Sequence, residues 1–139
     1  MKIWLYYIGK PRDAHANAIA GEFIKRTARY GPCEMREIAP SRFQLFARHS
    51  SARKVLLDPS GRTMNSAEFS ALLARDAMEA RDQVFLVGGA DGLPRGWKEQ
   101  ADLLLSLSAM TYPHELARAI LAEQIYRAFT TLHGHPYPR

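Results

Sequence analysis

The residue types best suited to catalysis are concentrated near the end of this 139-residue chain. His114 follows Pro113 at a predicted helix start, and a short tail beyond that helix carries His135, Tyr137 and Arg139. Imidazole groups transfer protons near neutral pH, and an arginine can hold an anion. Ordinary chain ends fray and carry little chemistry. The pattern therefore predicts that the C-terminus lies within a functional site.

Metal binding and nucleophilic catalysis have little support in the sequence. The histidines at and beyond the last predicted helix could share a metal ion, but no thiol or carboxylate completes a ligand set at suitable spacing. The single cysteine, Cys33, alternates with charged residues, which is typical of a core position in a strand. Glu123 and Arg127 have the spacing of an exposed ion pair on a helix. We therefore predict no metal site.

Three loops of small residues follow predicted strands, at positions 57–61, 88–92 and 107–112. In open α/β sheets, ligands bind in the crevice at the carboxyl ends of the strands. Glycine there allows close approach of a ligand to the backbone. Residues 88–92 match neither the dinucleotide fingerprint nor the P-loop, so a tight turn is the alternative interpretation. His114, at the helix start, is either a structural hydrogen-bonding group or a functional one.

The elements that must position these groups alternate along the chain. Short apolar runs closed by turn residues predict strands at 3–8, 53–57, 84–87 and 103–105, with a weaker strand at 34–38. Helical periodicity covers 13–30 and 65–81, and Asn65 with Glu68 resembles a capping box. Residues 40–51 are predicted to form a basic, aromatic surface loop. This order indicates a single α/β domain, with a mainly parallel sheet and helices on both faces.

The last predicted helix has an unusually broad apolar face. Ala117, Leu121, Ile125, Phe129 and Leu132 form one stripe, and further apolar residues widen it. Packing on one side of a sheet needs a narrower stripe. The additional width suggests a second surface to cover, and a homodimer is the simplest explanation.

The positive charge is unevenly distributed. Residues 1–62 hold 12 Lys and Arg against 5 Asp and Glu, whereas residues 63–139 hold 7 against 9. A basic half favours a polyanionic partner such as RNA, or it is simply a solvated basic face. The lone cysteine suits a reducing compartment, and no apolar run reaches the length of a membrane span. We expect a cytoplasmic protein.

Five sequence blocks together resemble one family, the ribosomal RNA large-subunit methyltransferase H family of the SPOUT class. The blocks are Leu57-Asp58-x-x-Gly61, Val87-Gly88-Gly89-x-x-Gly92-Leu93, Leu105-Ser106-Leu107-Ser108-x-Met110-Thr111-x-Pro113-His114, Glu123-Gln124-x-Tyr126-Arg127-Ala128 and His135-Pro136-Tyr137. They extend over nearly the whole chain, and the block ending in Pro113-His114 is the most specific.

The resemblance implies a homodimer with a C-terminal trefoil knot. It also implies S-adenosylmethionine as methyl donor, and N3 of a pseudouridine in helix 69 of 23S rRNA as acceptor, in the assembled ribosome. By position, the cofactor pocket would be Leu57, Gly88, Leu107, Ser108, Ala109, Met110, Thr111 and Tyr112. The catalytic candidates would be His135, Tyr137 and Arg139, reaching the partner's cofactor, with His114 second.

Two departures from the family pattern concern the tail and residues 39–52. Pro138 stands where the family usually has histidine, and the segment between Ile38 and Arg53 is shorter than usual, as if a helix were reduced to a loop. A non-catalytic, ribosome-binding relative that keeps the fold and pocket is therefore the alternative function. An unrelated nucleotide-binding module would leave the block that ends in Pro113-His114 unexplained.

Overall fold

A computed structural model describes residues 1–137. Its elements, in chain order, are β1 (Ile3–Ile8), α1 (Ala14–Thr27), β2 (Cys33–Ile38), α2 (Leu45–Arg48), β3 (Arg53–Thr63), α3 (Ser66–Met78), β4 (Gln83–Val87), β5 (Leu103–Ser106) and α4 (His114–Leu132). Short 3₁₀ turns lie at Pro40–Arg42 and Lys98–Gln100. None of the helices in this range is long and apolar enough to cross a membrane.

The five strands form one parallel sheet in the order β2-β1-β4-β3-β5. β4 is central and every one of its residues is buried, as expected for a strand covered on both faces. The predicted parallel α/β sheet is confirmed, including the weak strand at 34–38. Cys33 begins β2 and packs against the core, and burial raises the pKa of its thiol to about 12. The prediction of a core cysteine is therefore confirmed.

The two faces of the sheet are covered unequally. Alternate residues of β1 separate them, with Leu5 in the core beneath α1, α3 and α4, and Tyr6 in the core on the opposite face. That second core is covered by α2 and by irregular segments that include Phe43 and Trp97. Helices thus lie on both faces, but the three long ones share a single face.

The prediction of a surface loop at 40–51 is wrong. Phe43, Leu45 and His49 are 8%, 1% and 8% exposed, and all three lie on the second face of the sheet. The buried Lys54 amine donates to three carbonyls of residues 49–52 at 2.7–3.3 Å, which fixes the end of the segment. The segment folds inward because no long helix covers this face.

The predicted end of β3 at residue 57 is also wrong. β3 continues to Thr63, and both Leu57 and Arg62 pair with Leu105, so residues 58–61 form a bulge within the strand. A Cβ on Gly61 would lie 2.6 Å from the backbone of Leu104, a distance that only glycine avoids. The bulge therefore keeps β3 against β5 while residues 58–60 project from the sheet.

Helix starts follow the sequence more closely than helix ends. Asn65 and Glu68 form the predicted capping box, and α4 begins at His114 as expected. α1 and α3 end at Thr27 and Met78, a few residues before the predicted limits. Side-chain caps mark a helix start locally, whereas its end depends on the packing of the following turn.

Candidate active site

A cavity of about 290 Å³ lies at the carboxyl ends of β3, β4 and β5. The loops after β4 and β5, the β3 bulge and the start of α4 form its walls. This is the crevice that the strand order predicted, because parallel strands present their carboxyl ends at one edge of the sheet.

The structure brings together most of the residues assigned to cofactor binding. Ala109 lies in the same loop, is exposed, and does not line the cavity. The assigned residues that do line it are Leu57, Gly88, Leu107, Ser108, Met110, Thr111 and Tyr112.

Serine hydroxyls fix the shape of the loop that follows β5. Ser106 donates through Oγ to the carbonyl of Ser108 at 2.9 Å, and the Met110 backbone N–H donates to Ser108 Oγ at 3.0 Å. The Met110 side chain is 75% exposed at the rim of the cavity. The loop therefore presents preformed backbone and an adaptable apolar side chain to any ligand.

The glycines after β4 act as a tight turn and as a cavity wall at once. A Cβ on Gly88 would lie 2.7 Å from the Gly92 carbonyl oxygen, and one on Gly89 would lie 3.0 Å from that of Ile8. Gly92 has a φ of 77°, in the left-handed region. Both interpretations of this glycine motif thus apply, since the turn itself lines the cavity.

Asp58 is a cavity residue that the sequence-based assignment omitted. Its carboxylate accepts hydrogen bonds from the backbone and hydroxyl of Ser60 and lies 3.4 Å from the Lys98 amine. These contacts, the Ser60 hydroxyl first, hold the pKa of Asp58 below its usual range. The block Leu57-Asp58-x-x-Gly61 was the signal that could have identified it.

His114 lines the cavity as the first residue of α4. The next residue, Glu115, anchors this helix start: its carboxylate accepts from the backbone N–H groups of Arg12 and Asp13 at 2.6 and 2.9 Å. Arg118 is fully buried, with its guanidinium 3.6 Å from the centre of the Tyr7 ring. These contacts join the start of α4 to β1 and α1, so His114 is held on a rigid support.

The tail folds back on its own helix. The Tyr137 hydroxyl donates to Glu123 at 2.7 Å, and its ring lies 4.8 Å from that of Tyr126. Burial and the bond to Glu123 raise the pKa of Tyr137 to about 12. The Glu123–Arg127 pair forms as predicted, at 2.7 Å, but it is half-buried because the tail covers it. The prediction that this pair is exposed is therefore wrong.

His135 is exposed, and its Nδ1 accepts a hydrogen bond from the Tyr137 backbone N–H at 3.2 Å. A backbone N–H can only donate, so the neutral ring carries its proton on Nε2. In that tautomer His135 offers a donor to a ligand. Pro138 and Arg139 lie outside the described residues.

The tail contacts α4 at Glu123, nine residues beyond His114. At about 1.5 Å per residue, these two points of the helix are roughly 14 Å apart. Tyr137 contacts Phe23, Glu123, Tyr126 and Arg127, none of which lines the cavity. The two groups of catalytic candidates therefore do not meet within one chain over the described range.

No cluster of three or more His, Cys, Asp or Glu side chains that could hold a metal ion occurs in residues 1–137. The cavity walls are backbone, aliphatic groups, hydroxyls, the Met110 thioether, one carboxylate and the His114 imidazole. Such a site suits an organic ligand held by hydrogen bonds and apolar contact.

A family model described as a predicted SPOUT methyltransferase matches residues 1–138. The chain belongs to the SPOUT methyltransferase family. Within this family, relatives named ribosomal RNA large subunit methyltransferase H match along their full length. The protein of Solibacter usitatus is 63% identical over 139 residues, covering 100% of both chains. A protein of Thermus thermophilus is 40% identical, covering 100% of this chain and 99% of the relative.

Solved structures of SPOUT-like proteins share the fold at low sequence identity. A probable methyltransferase from Bordetella pertussis has a TM-score of 0.63 at 13% identity, over 92% of this chain and 94% of that one. The SpoU methyltransferase AviRb from Streptomyces viridochromogenes, solved in complex with AdoMet, has a TM-score of 0.53 at 14% identity, over 94% and 61%. These likenesses establish the fold of this SPOUT methyltransferase.

Proposed function

We propose that this SPOUT methyltransferase transfers a methyl group from S-adenosylmethionine to 23S rRNA in the assembled ribosome, at N3 of a pseudouridine in helix 69. The observation that carries the proposal is the cavity at the carboxyl ends of β3, β4 and β5, in a chain that matches over its full length relatives named ribosomal RNA large subunit methyltransferase H. A ribosomal substrate also implies a cytoplasmic location.

The residues of the cavity fit S-adenosylmethionine. Its volume of about 290 Å³ is near the lower end of small-molecule sites, roughly 300–1,000 Å³. Gly88 and Gly89 leave backbone uncovered, which suits hydrogen bonds to an adenine edge. Leu57, Leu107 and Met110 supply apolar contact. Asp58 supplies a carboxylate at the cavity, although Lys98, 3.4 Å away, offsets part of its charge.

When bound, the cofactor supplies an electrophilic methyl group on a sulfonium. The chain contributes alignment, because an in-line displacement depends on the relative position of the two reacting atoms. The serine-fixed loop after β5 and the turn at Gly88 hold the donor side. His114, anchored through Glu115, lies at the same cavity and can take up a proton there.

The acceptor N3 of a uracil-like base is protonated at neutral pH, so the site must remove or share that proton. Tyr137, with a pKa of about 12, stays a phenol and cannot act as the base. We assign Tyr137 to anchoring the tail, His135 to donating from Nε2 to a carbonyl oxygen of the base, and Arg139 to holding phosphate or the imide anion. His114 is then the candidate base.

A homodimer would bring these groups together, with the tail of one subunit at the cavity of the other. Supporting this, α1 and the start of α4 expose Ile19 and Leu116 at 49% and 42%. Apolar side chains on adjacent helices suit a self-complementary interface. We also infer the knotted threading of the C-terminal segment, which the shared family fold supports.

Two measurements test the proposal. Calorimetric titration with S-adenosylmethionine should give saturable binding, and its absence would remove the cofactor assignment. Transfer from labelled donor to ribosomes that lack the modification should label 23S rRNA at one nucleotide, mapped by nuclease digestion and mass spectrometry. Binding of cofactor and ribosomes without transfer would favour the non-catalytic relative. Free 23S rRNA as substrate should react poorly if the assembled ribosome is required.

A further inference from the structure

Two arginines lie over the Phe43 ring on the thinly covered face of the sheet, and a third precedes it in the chain. The guanidinium carbons of Arg36 on β2 and Arg48 on α2 lie 5.8 and 5.2 Å from the centre of the Phe43 ring. Arg42 precedes Phe43 in the chain and is exposed, as are Arg36 and Arg48. We call these three arginines the arginine cluster. They come from three separate elements, so tertiary folding assembles the cluster.

The charge of the arginine cluster is uncompensated. Within the described part of the chain, none of its members lies within ion-pair distance of a carboxylate. Glu34, on the same side of β2 as Arg36, is paired with Lys2 at 3.3 Å. Glu37 points to the opposite side of the strand, because side chains alternate. The cluster therefore presents positive charge to solvent with no internal counter-ion.

The positive field of the cluster also reaches the buried groups beneath it. Burial lowers the pKa of His49, and Arg48 lowers it further. Burial raises the pKa of Tyr6, while Arg48 and Arg36 act in the opposite direction. Glu34 opposes the arginines at Tyr6 and Asp82 opposes them at His49, but the charge of Arg48 acts on both buried groups.

Phe43 makes the cluster suited to phosphate rather than to a general acidic surface. Its ring is only 8% exposed and so provides a rigid platform. A guanidinium over an aromatic ring loses less freedom on binding and keeps its N–H edge free for bidentate bonds to a phosphate. Fixed, planar guanidinium groups, all positively charged, match the phosphates of a sugar–phosphate backbone.

The segment carrying the cluster also packs against the loop that forms the cavity. The Phe46 ring lies 5.5 Å from that of Trp97, edge to face. Leu93, four residues earlier, lines the cavity and packs in the same second core. RNA held at the cluster would therefore be positioned relative to the cavity through one continuous packed layer.

We propose that the arginine cluster binds the phosphate backbone of the RNA substrate and positions it for the cavity at the carboxyl ends of β3, β4 and β5. The identity of that RNA rests on the proposed function. The attraction to RNA phosphate rests on the arginine cluster alone. The proposed function and the proposal for the arginine cluster can therefore fail separately.

The test compares two double variants of the full-length protein with equal loss of charge. Arg36→Gln with Arg48→Gln removes two members of the cluster. Lys25→Gln with Arg75→Gln removes two exposed cations from α1 and α3, on the opposite face. Binding to deproteinised 23S rRNA is measured across salt concentrations. Methylation of unmodified ribosomes gives kcat and KM, and calorimetry gives the S-adenosylmethionine Kd.

For the cluster variant, the slope of log affinity against log salt should fall by about two, one for each phosphate that the variant no longer neutralises. The ribosome KM should rise about tenfold or more, as these arginines add binding energy. The kcat and cofactor Kd should stay unchanged. Arg48→Lys keeps the charge but loses the planar stack, so it should weaken rRNA binding severalfold at an unchanged slope. Arg48→Lys also carries the test if the double variant does not fold.

Equal losses in both double variants, or wild-type rRNA affinity in Arg48→Lys, would overturn the proposal. The proposal would also be overturned if the cluster variant had a raised ribosome KM but an unchanged slope of log rRNA affinity against log salt. That result would point to a ribosomal protein as the partner of the arginine cluster. If the cluster variant loses rRNA affinity while wild-type protein methylates no ribosome, the proposed function fails and the cluster stands.

Discussion

At the scale of single residues, Gly88 determines whether the cavity stays open. We predict that Gly88→Ala lowers S-adenosylmethionine affinity at least about tenfold, because the new Cβ must displace the Gly92 carbonyl from 2.7 Å and distort the wall. Calorimetric titration measures the effect.

Gly21→Ala is the matched control for this substitution. A Cβ on Gly21, inside α1, meets nothing within 4 Å. Alanine there should leave cofactor binding unchanged and raise the free energy of unfolding by up to about 1 kcal/mol, since it is the better helix former. Equal cofactor affinity in Gly88→Ala and wild type would contradict the assignment of this loop.

Tyr137 is predicted to act through position rather than ionisation. Tyr137→Phe removes the bond to Glu123 but keeps the ring against Tyr126, so ribosome methylation should fall by less than about tenfold. The pH dependence of kcat should keep its shape, because a phenol with a pKa of about 12 does not titrate near neutrality. If the wild-type kcat rises with pH toward the pKa of Tyr137 and this rise is absent in the variant, Tyr137 is the base after all.

At the scale of elements, the segment 40–52 forms a short inward-folded cover on the second face of the sheet. In this segment, His49 Nε2 and the buried Tyr6 hydroxyl share a hydrogen bond of 2.8 Å. Burial, then Arg48 and Lys54, lower the pKa of His49 from the ordinary value of 6.5. The folded protein therefore favours neutral imidazole.

This lowered pKa predicts loss of stability in acid. As the pH falls below about 6.5, the unfolded chain binds a proton before the folded chain does, so the free energy of unfolding falls until the folded His49 also titrates. His49→Gln keeps an acceptor for Tyr6 and cannot titrate. Denaturant unfolding between about pH 7 and pH 5 should show a shallower pH dependence for the variant. Equal pH dependence of the free energy of unfolding in the variant and the wild type would contradict this prediction.

At the scale of the whole molecule, the packing of the tail separates the two groups of catalytic candidates. His114 lies at the cavity, whereas Tyr137 contacts α1 and the middle of α4. A second copy of the chain is the simplest source of a tail at the cavity, because a two-fold axis places the tail of each subunit at the cavity of the other.

Mixed dimers provide the test. A chain truncated after Gly134 lacks the tail, and Gly88→Ala binds cofactor weakly, so at a cofactor concentration well below the Kd of that variant each should be nearly inactive alone. Co-expressed in equal amounts, half of the dimers are mixed and have one intact site, so about a quarter of wild-type methylation should return. No recovery in dimers shown by sedimentation to be mixed would place the tail at its own subunit's cavity.

The sequence predicted the features that depend on local patterns. Apolar runs indicated the five strands, Asn65 and Glu68 indicated a helix start, and the loop blocks supplied seven of the residues that line the cavity. The prediction for segment 40–51 was wrong because its inward folding follows from the absence of a long helix on that face. The bulge after Leu57 was missed because turn residues also occur inside a strand that pairs across them.

What the sequence by itself determined is therefore the parallel α/β fold, the crevice at the strand ends and the family. Only the tertiary structure decided which groups meet. It placed Asp58 at the cavity, held Tyr137 on Glu123, and gathered Arg36 and Arg48 over Phe43. The physical reason is range: hydrophobic periodicity and capping act over a few neighbouring residues, whereas these contacts depend on how distant strands are ordered in the sheet.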